Sequence, residues 1–470
     1  MNFEFIESEL GKFVEIVTKR CDASVVNITN YISTENMLPD RQGVTISSGI
    51  PNAKNFISFE KGDTLFSNIR TYFKKVWFAT FDGGASPDVL VFRTSQKKLT
   101  NEYLSLILSS DDFIDYSHLT SKGAKMPRGD KGAMLNYKIK VPPLNYQSKC
   151  SKLIFTLNKK IDNNKHINQT LEQMAQALFK SWFVDFEPVK AKIAVLEVGG
   201  SQEDAALAAM TAISGKDADA LAVFELESPE KYAELKATAE LFPSAMQDSE
   251  LGEIPEGWDI NNIKSLSLAL SKGTTPAKRD LNPEENQSVN FLKVKDIGDD
   301  GRINISNLDK ISQRVHEGIL KRSILQSNDI LFSIAGTIGR VAVVANEMLD
   351  CNCNQAIAFI RLKERSSHLN LIKLNLQSKR IQQEVESKVV QGVQANLSLT
   401  NLGELNVILP SKSVLIAFNN VITPLWEKQL SITKNIKWLT QLRDTLLPKL
   451  LSGEITLPEV EQAIGEVEDV

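Results

Sequence analysis

Apolar positions recur every three or four residues along two long stretches of the chain, and that spacing predicts two long amphipathic helices. In the first, roughly Gln147 to Phe186, the stripe runs through Ile154, Leu157, Ile161, Leu171, Met174 or Ala175, Leu178 and Trp182. At 1.5 Å of rise per residue such a helix is a rod of about 60 Å. Between Ile161 and Leu171 the stripe passes through Asn164 and Asn168. Either these amides are buried and set the register, or the phase slips to Ile167. The second stretch, roughly Ser413 to Leu451, puts Val414, Phe418, Val421, Leu425, Ile432, Ile436, Leu439, Leu446 and Leu450 on one side. Pro424 lies inside it and has no N–H to donate, which predicts a kink or a break. The two stretches stand in matching places in the chain and are expected to pair, antiparallel, as a coiled coil.

Before each rod the pattern changes to short β-branched and aromatic runs, and these runs repeat. GDTLFSNIR (62–70), PDVLVFRT (87–94), NEYLSLILSSDDFIDY (101–116), Gly123 and KIKVPPL (138–144) come in that order. NDILFSIAGTIGR (328–340), NQAIAFIRL (354–362), HLNLIKLNLQSKRIQQEV (368–385), Gly392 and LNVILP (405–410) follow the same order 266 to 269 residues later. Asp63 thus matches Asp329, Gly123 matches Gly392, and Pro142 matches Pro410. The segments Asp88–Arg93 and Ala356–Arg361 read as strands, and 101–117 and 369–389 have helical spacing. Each repeat is therefore a mixed α/β domain that ends in a long helix.

A length of 470 residues suits about three structural units. The N-terminus, MNFEFIESEL, has no apolar h-region, and no run of about 18 uncharged apolar residues occurs, so neither secretion nor a membrane span is expected. Four scattered cysteines (Cys21, Cys150, Cys351, Cys353) fit a reducing cytoplasm. Net charge is −4, but it is unevenly placed. Residues 193–254 carry 13 Asp and Glu against 3 Lys, and 453–470 carry six acids and no base, which leaves +12 on the other 390 residues. That basic remainder suits a protein that neutralises phosphates, although a solvated lysine-rich surface would have the same charge.

Catalytic patterns are missing. GAKMPRGDKG (123–132) lacks P-loop spacing, and the chain has neither a G-x-G-x-x-G fingerprint nor the Asn/Asp-Pro-Pro-aromatic run of DNA amino-methyltransferases. The four histidines are scattered, and Cys351-x-Cys353 has no second half with zinc spacing. Pro87-Asp88 reads as a turn into a strand and not as part of a nuclease carboxylate set.

Binding chemistry is what remains. SKGTTPAKRD (271–280) is a turn-forming loop with Lys272, Lys278 and Arg279 beside two hydroxyls, Thr274 among them, groups that can bond phosphates or base edges. AGTIGR (335–340) puts Arg340 after two glycines that permit a close backbone approach to a ligand. The equivalent place in the first repeat holds Arg70, with Lys74, Lys75 and the aromatics Tyr72, Phe73 and Trp77 close behind. Residues 121–132 add Lys122, Lys125, Arg128 and Lys131. On the first long helix, Phe179, Trp182 and Phe183 exceed what one seam covers, so part of that cluster is expected to face a partner.

TLEQMAQALFKSWFVDFEPVKAK (170–192) resembles the central conserved region of the specificity subunits of Type I restriction-modification systems. DSELGEIPEGW (248–258) is similar to the entry to that family's second target-recognition domain, and LLPKLLSGEI (446–455) to the end of its distal helix. The resemblance implies a first target-recognition domain over 1–145, a central helix over 146–186 and an acidic connector over 187–254. It also implies a second domain over 255–410, a distal helix over 411–452 and an acidic tail over 453–470, whose charge predicts disorder. It further implies a chain without catalysis or cofactor, cytoplasmic and not membrane-bound, that binds double-stranded DNA. Such a chain recruits two copies of a DNA methyltransferase subunit and a restriction/translocase subunit, with S-adenosylmethionine, ATP and Mg²⁺ in the partners. The resemblance carries over no DNA-contact residues, so the basic candidates rest on charge and loop position alone. Two unlike domains related by a pseudo-two-fold predict an asymmetric, bipartite target, with the helices as a ruler for the spacer. A coiled-coil scaffold without sequence-specific DNA binding is the alternative that this architecture also permits.

Overall fold

The computed structural model describes residues 5–123, 126–305, 308–389 and 395–468. They form two units, Met1–Asn168 with Ser431–Val470 and Gln169–Leu430. Gly392 and Lys125 lie outside the described residues.

Both units are built on one plan. The first has a four-stranded antiparallel sheet in the order Val14–Ile16, Val89–Thr94, Thr64–Ser67, Val76–Phe78. The second has Ser267–Lys272, Ile357–Leu362, Ile330–Ser333, Val341–Val343, also antiparallel. The register repeats as well, since Thr64 pairs with Phe92 where Ile330 pairs with Ile360. The inner strands Val89–Thr94 and Ile357–Leu362 are apolar runs because both their faces are covered. Val89, Leu90, Val91 and Phe92 are all buried, as are Ile357, Ala358, Phe359 and Ile360.

The repeated aspartates are part of this framework. Asp63 and Asp329 are 2 % and 0 % exposed. Each accepts the N–H of a turn residue, Glu60 at 2.7 Å and Gln326 at 2.8 Å. Each also receives a two-point contact from an arginine on the adjacent strand: Arg93 at 2.7 and 2.7 Å, Arg361 at 2.9 and 2.6 Å. A buried carboxylate needs this full complement of donors to offset its desolvation. The Asp63 carboxylate in turn pushes the Arg93 pKa up.

The helical segments are shorter than their periodicity predicts. The expected helix 101–117 is split into Asn101–Leu108 and Asp111–Leu119, where the Ser110 hydroxyl caps the second piece by accepting the Phe113 N–H. Its counterpart is split at Ser378 into Arg365–Gln377 and Lys379–Lys388 in the same manner. An N-capping serine in mid-segment ends one helix and starts another.

Two long helices, Leu144–Phe183 and Lys412–Ser452, contribute to both units and pair antiparallel within each. In the first unit the Tyr146 hydroxyl lies 3.2 Å from the Leu450 carbonyl, Arg443 donates to Asn158 at 3.2 Å, and Asn168 donates to Thr433 at 3.2 Å. In the second, Gln429 donates to Glu172 at 3.4 Å and the Phe183 and Phe418 rings meet edge to face at 4.7 Å. Asn168 is buried and Ile167 is 46 % exposed, so the amide keeps the phase of the seam. Ala175, not Met174, faces inward.

Several expectations for these segments are corrected. The distal helix runs unbroken through Pro424, because Pro424 and Asn420 are on the exposed face, where water can take the orphaned carbonyl. Ile422 occupies the seam position expected of Val421, which is exposed. The first helix stops at Phe183, since the Val184 and Asp185 N–H groups both turn back onto the Lys180 carbonyl and Phe186 adopts a left-handed φ of 55°. The tail is not disordered over its described part: Leu457–Glu468 is a helix whose Val460, Ile464 and Val467 join the core of the first unit. Its apolar spacing forms a helical face that the acidic composition hides. The acidic connector holds four helices, Glu187–Glu197, Gln202–Ser214, Ala218–Glu227 and Pro229–Glu240, and the last three pack around Ala209, Met210, Leu221 and Ala239. Among the described residues, no helix is long and apolar enough to cross a membrane.

Candidate nucleic-acid interface

In the first domain the loop after Thr64–Ser67 is tied to a second loop. The Arg70 N–H donates to the Pro127 carbonyl at 3.0 Å, and the Gly129 N–H to the Asn68 carbonyl at 3.1 Å. Lys122 and Arg128 exchange both backbone hydrogen bonds at 2.9 Å. Arg70, Lys122 and Arg128 are thereby brought to one edge. Arg70 and Lys74 have left-handed φ of 49° and 54°, a conformation that costs a non-glycine residue about 1 kcal/mol or more and that these ties maintain.

Most of these cations already have partners. Arg128 pairs with Asp88 at 3.0 Å, and Lys122 pairs with Asp130. Lys74 donates to Asp111 at 2.7 Å, and Arg41 contacts the same carboxylate. Burial tends to push the Asp111 pKa up, but the hydrogen bonds from Lys74 and Arg41 outweigh it and hold that pKa below its ordinary value. Lys75 donates to the Thr34 carbonyl at 2.6 Å, and burial pushes its pKa down. Arg70 is exposed, with no side-chain partner among the described residues. Tyr72 and Phe73 are exposed beside it.

The second domain is different. The strand Ser267–Lys272 continues into a loop zipped against the turn 353–357, with the Gly273 N–H on the Ile357 carbonyl at 3.0 Å and the Thr274 N–H on the Cys353 carbonyl at 3.1 Å. A Cβ at Gly273 would fall 2.0 Å from the Cys353 oxygen, so this close approach admits only glycine. Lys272 and Lys278 are exposed and have no side-chain partner among the described residues. Arg279 is 90 % exposed, with only a 3.9 Å contact to Asp280. Thr274 accepts from Arg322 at 2.9 Å, and Thr275 donates to Gln355. Arg322 and Gln355 are 48 and 80 residues from their partners, and no local pattern points to them.

Two sequence expectations change here. Arg340 is a clamp inside the domain. It donates to the Ile297 carbonyl at 2.6 Å and the Val294 carbonyl at 3.3 Å, and it pairs with Asp299 at 2.7 Å. The glycine before it admits a protein neighbour rather than a ligand, since a Cβ at Gly339 would meet the Gln382 amide oxygen at 2.2 Å. Phe179, Trp182 and Phe183 do not present a surplus face, because Phe242, Trp258 and Phe418 cover them in the core of the second unit. Cys351 and Cys353 are buried on one strand, and burial pushes the Cys351 thiol up to about 12.

A family model described as "Type I restriction modification DNA specificity domain" matches twice, over residues 4–173 and 255–423. The Type I restriction enzyme HindI specificity subunit of Haemophilus influenzae is 30% identical over 466 residues, covering 96% of this chain and 99% of that one. The MjaIX specificity subunit of Methanocaldococcus jannaschii is 23% identical over 365 residues, 77% of this chain and 71% of that one. The crystal structure of the Type I restriction-modification S subunit from M. genitalium aligns with a TM-score of 0.50 at 12% identity, covering 96% of each chain, and shares the fold. The duplicated framework, the paired helices and these matches together show that the chain belongs to the Type I restriction-modification specificity subunits, the component that recognises the DNA target.

Proposed function

We propose that this chain reads an asymmetric, bipartite duplex target, one half through each domain, within a complex of partner subunits. In this reading it is cytoplasmic and carries no catalytic residue and no cofactor. It recruits two copies of a DNA methyltransferase subunit and a restriction/translocase subunit, which supply S-adenosylmethionine, ATP and Mg²⁺ chemistry. The reading divides the chain at 1–145 and 255–410 into two readers, joined through the helices 146–186 and 411–452.

The observation that supports it is duplication without identity. The Asp63–Arg93 and Asp329–Arg361 clasps hold equivalent sheets, while the loops outside those sheets carry different side chains. A pair of like scaffolds with unlike edges suits two related but different half-sites. The test is selection from a random pool of duplexes by the chain co-expressed with methyltransferase subunits. Two unlike short motifs at a fixed separation are expected. One continuous motif, or none, would contradict the proposal.

A further inference from the structure

The loop pair in the second domain holds one side chain in the manner of a base reader. Gln355 lies at the exposed turn between Cys351–Cys353 and Ile357–Leu362. That turn is rigidly mounted. Cys353 is buried, the Ile357 N–H closes onto the Asn354 carbonyl at 3.1 Å, and the facing loop is pinned by Gly273 and the buried Pro276. Thr275 leaves this mount facing outward, and its hydroxyl donates to the Gln355 amide oxygen. The amide is thus held at one end, and among the described residues both its N–H donors are open.

We infer that Gln355 reads an adenine in the half-site of the second domain and that Thr275 is its positioning residue. The inference rests on the DNA-reading function proposed above. A glutamine amide matches adenine in the major groove, with its N–H on N7 and its oxygen accepting from N6. The amide oxygen has a second lone pair for that bond after Thr275 has used the first. Guanine presents acceptors at both positions and would face the amide oxygen with O6, so the same edge discriminates against it. Holding the amide before binding reduces the side-chain freedom given up on docking. Lys272, exposed three residues before Thr275, and Arg322, whose guanidinium donates to Thr274, are the cations of this loop for neighbouring phosphates.

The experiment uses the full chain with its methyltransferase subunits and duplexes in which each base pair of the selected target is replaced in turn. Gln355→Ala should lose discrimination at one A·T position of one half-site, by about ten- to a hundredfold, and keep it elsewhere. Thr275→Val should weaken discrimination at that same position, and Thr275→Ser should restore it. Lys272→Ala should lower affinity for all sequences alike. Gln355 is exposed at a turn, so its removal leaves the folded core untouched. Full discrimination in Gln355→Ala, or a uniform loss across all sequences, would overturn the inference while leaving the DNA-reading function intact. A wild-type chain without any sequence preference would instead remove the function itself.

Discussion

The two domains share a skeleton but differ in how their outer charges are used. In the first, Lys74, Lys122 and Arg128 are each matched by a carboxylate, Asp111, Asp130 and Asp88, and among the described residues only Arg70 and Lys131 of the candidate cations there are open. In the second, Lys272 and Lys278 stand open, and Arg279 has only a distant contact. An open lysine brings its full charge to a phosphate and releases a counterion. A paired lysine must first give up its carboxylate, which then remains near the phosphate as a like charge. A duplicated fold fixes where loops emerge and leaves their electrostatics free to diverge. The second domain is therefore expected to supply more of the salt-dependent affinity.

The largest effect should come from breaking the shared skeleton. Asp329→Ala leaves the Arg361 guanidinium without its carboxylate at a nearly closed site and should cost about 3 to 5 kcal/mol in chemical denaturation. Asp63→Ala should cost less, because Arg93 retains Glu60 at 3.2 Å. Equal losses, or a larger loss for Asp63→Ala, would contradict the support that Glu60 gives Arg93.

A smaller effect separates the two surfaces. Lys272→Ala and Lys278→Ala should each weaken binding and make the salt dependence shallower, by about 0.9 for each phosphate that is no longer neutralised. Lys122→Ala should change that slope less, since Asp130 already neutralises it. Asp88→Asn should strengthen binding by freeing Arg128. Salt titrations of the variants on the selected target decide between these outcomes.

Much of the skeleton was legible in the chain. Repeated landmarks announced two α/β domains, and 3-4 spacing announced the helices, because these features depend on local periodicity. Asp63 and Asp329 were visible as matching positions, but their arginines, 30 and 32 residues away, were not. The candidate surface was less legible for the same reason. Lys74 and Arg340 looked like free cations, yet their partners, Asp111 and the Ile297 carbonyl, come from distant segments. Gln355 carried no signal at all, since only the fold brings it to Thr275. In the tail, charge masked the amphipathic spacing of Val460, Ile464 and Val467. At Pro424, a local rule predicts a kink or a break, and the helix is unbroken there because the proline lies on an exposed face.

The most direct measurement is the salt dependence of binding by the unmodified chain, with its methyltransferase subunits, to two duplexes that each retain one half-site. Unlike surfaces on a common skeleton predict a steeper slope for the half-site assigned to the second domain, by about one unit or more of log affinity per log salt. Equal slopes, or a steeper slope for the first, would contradict the account.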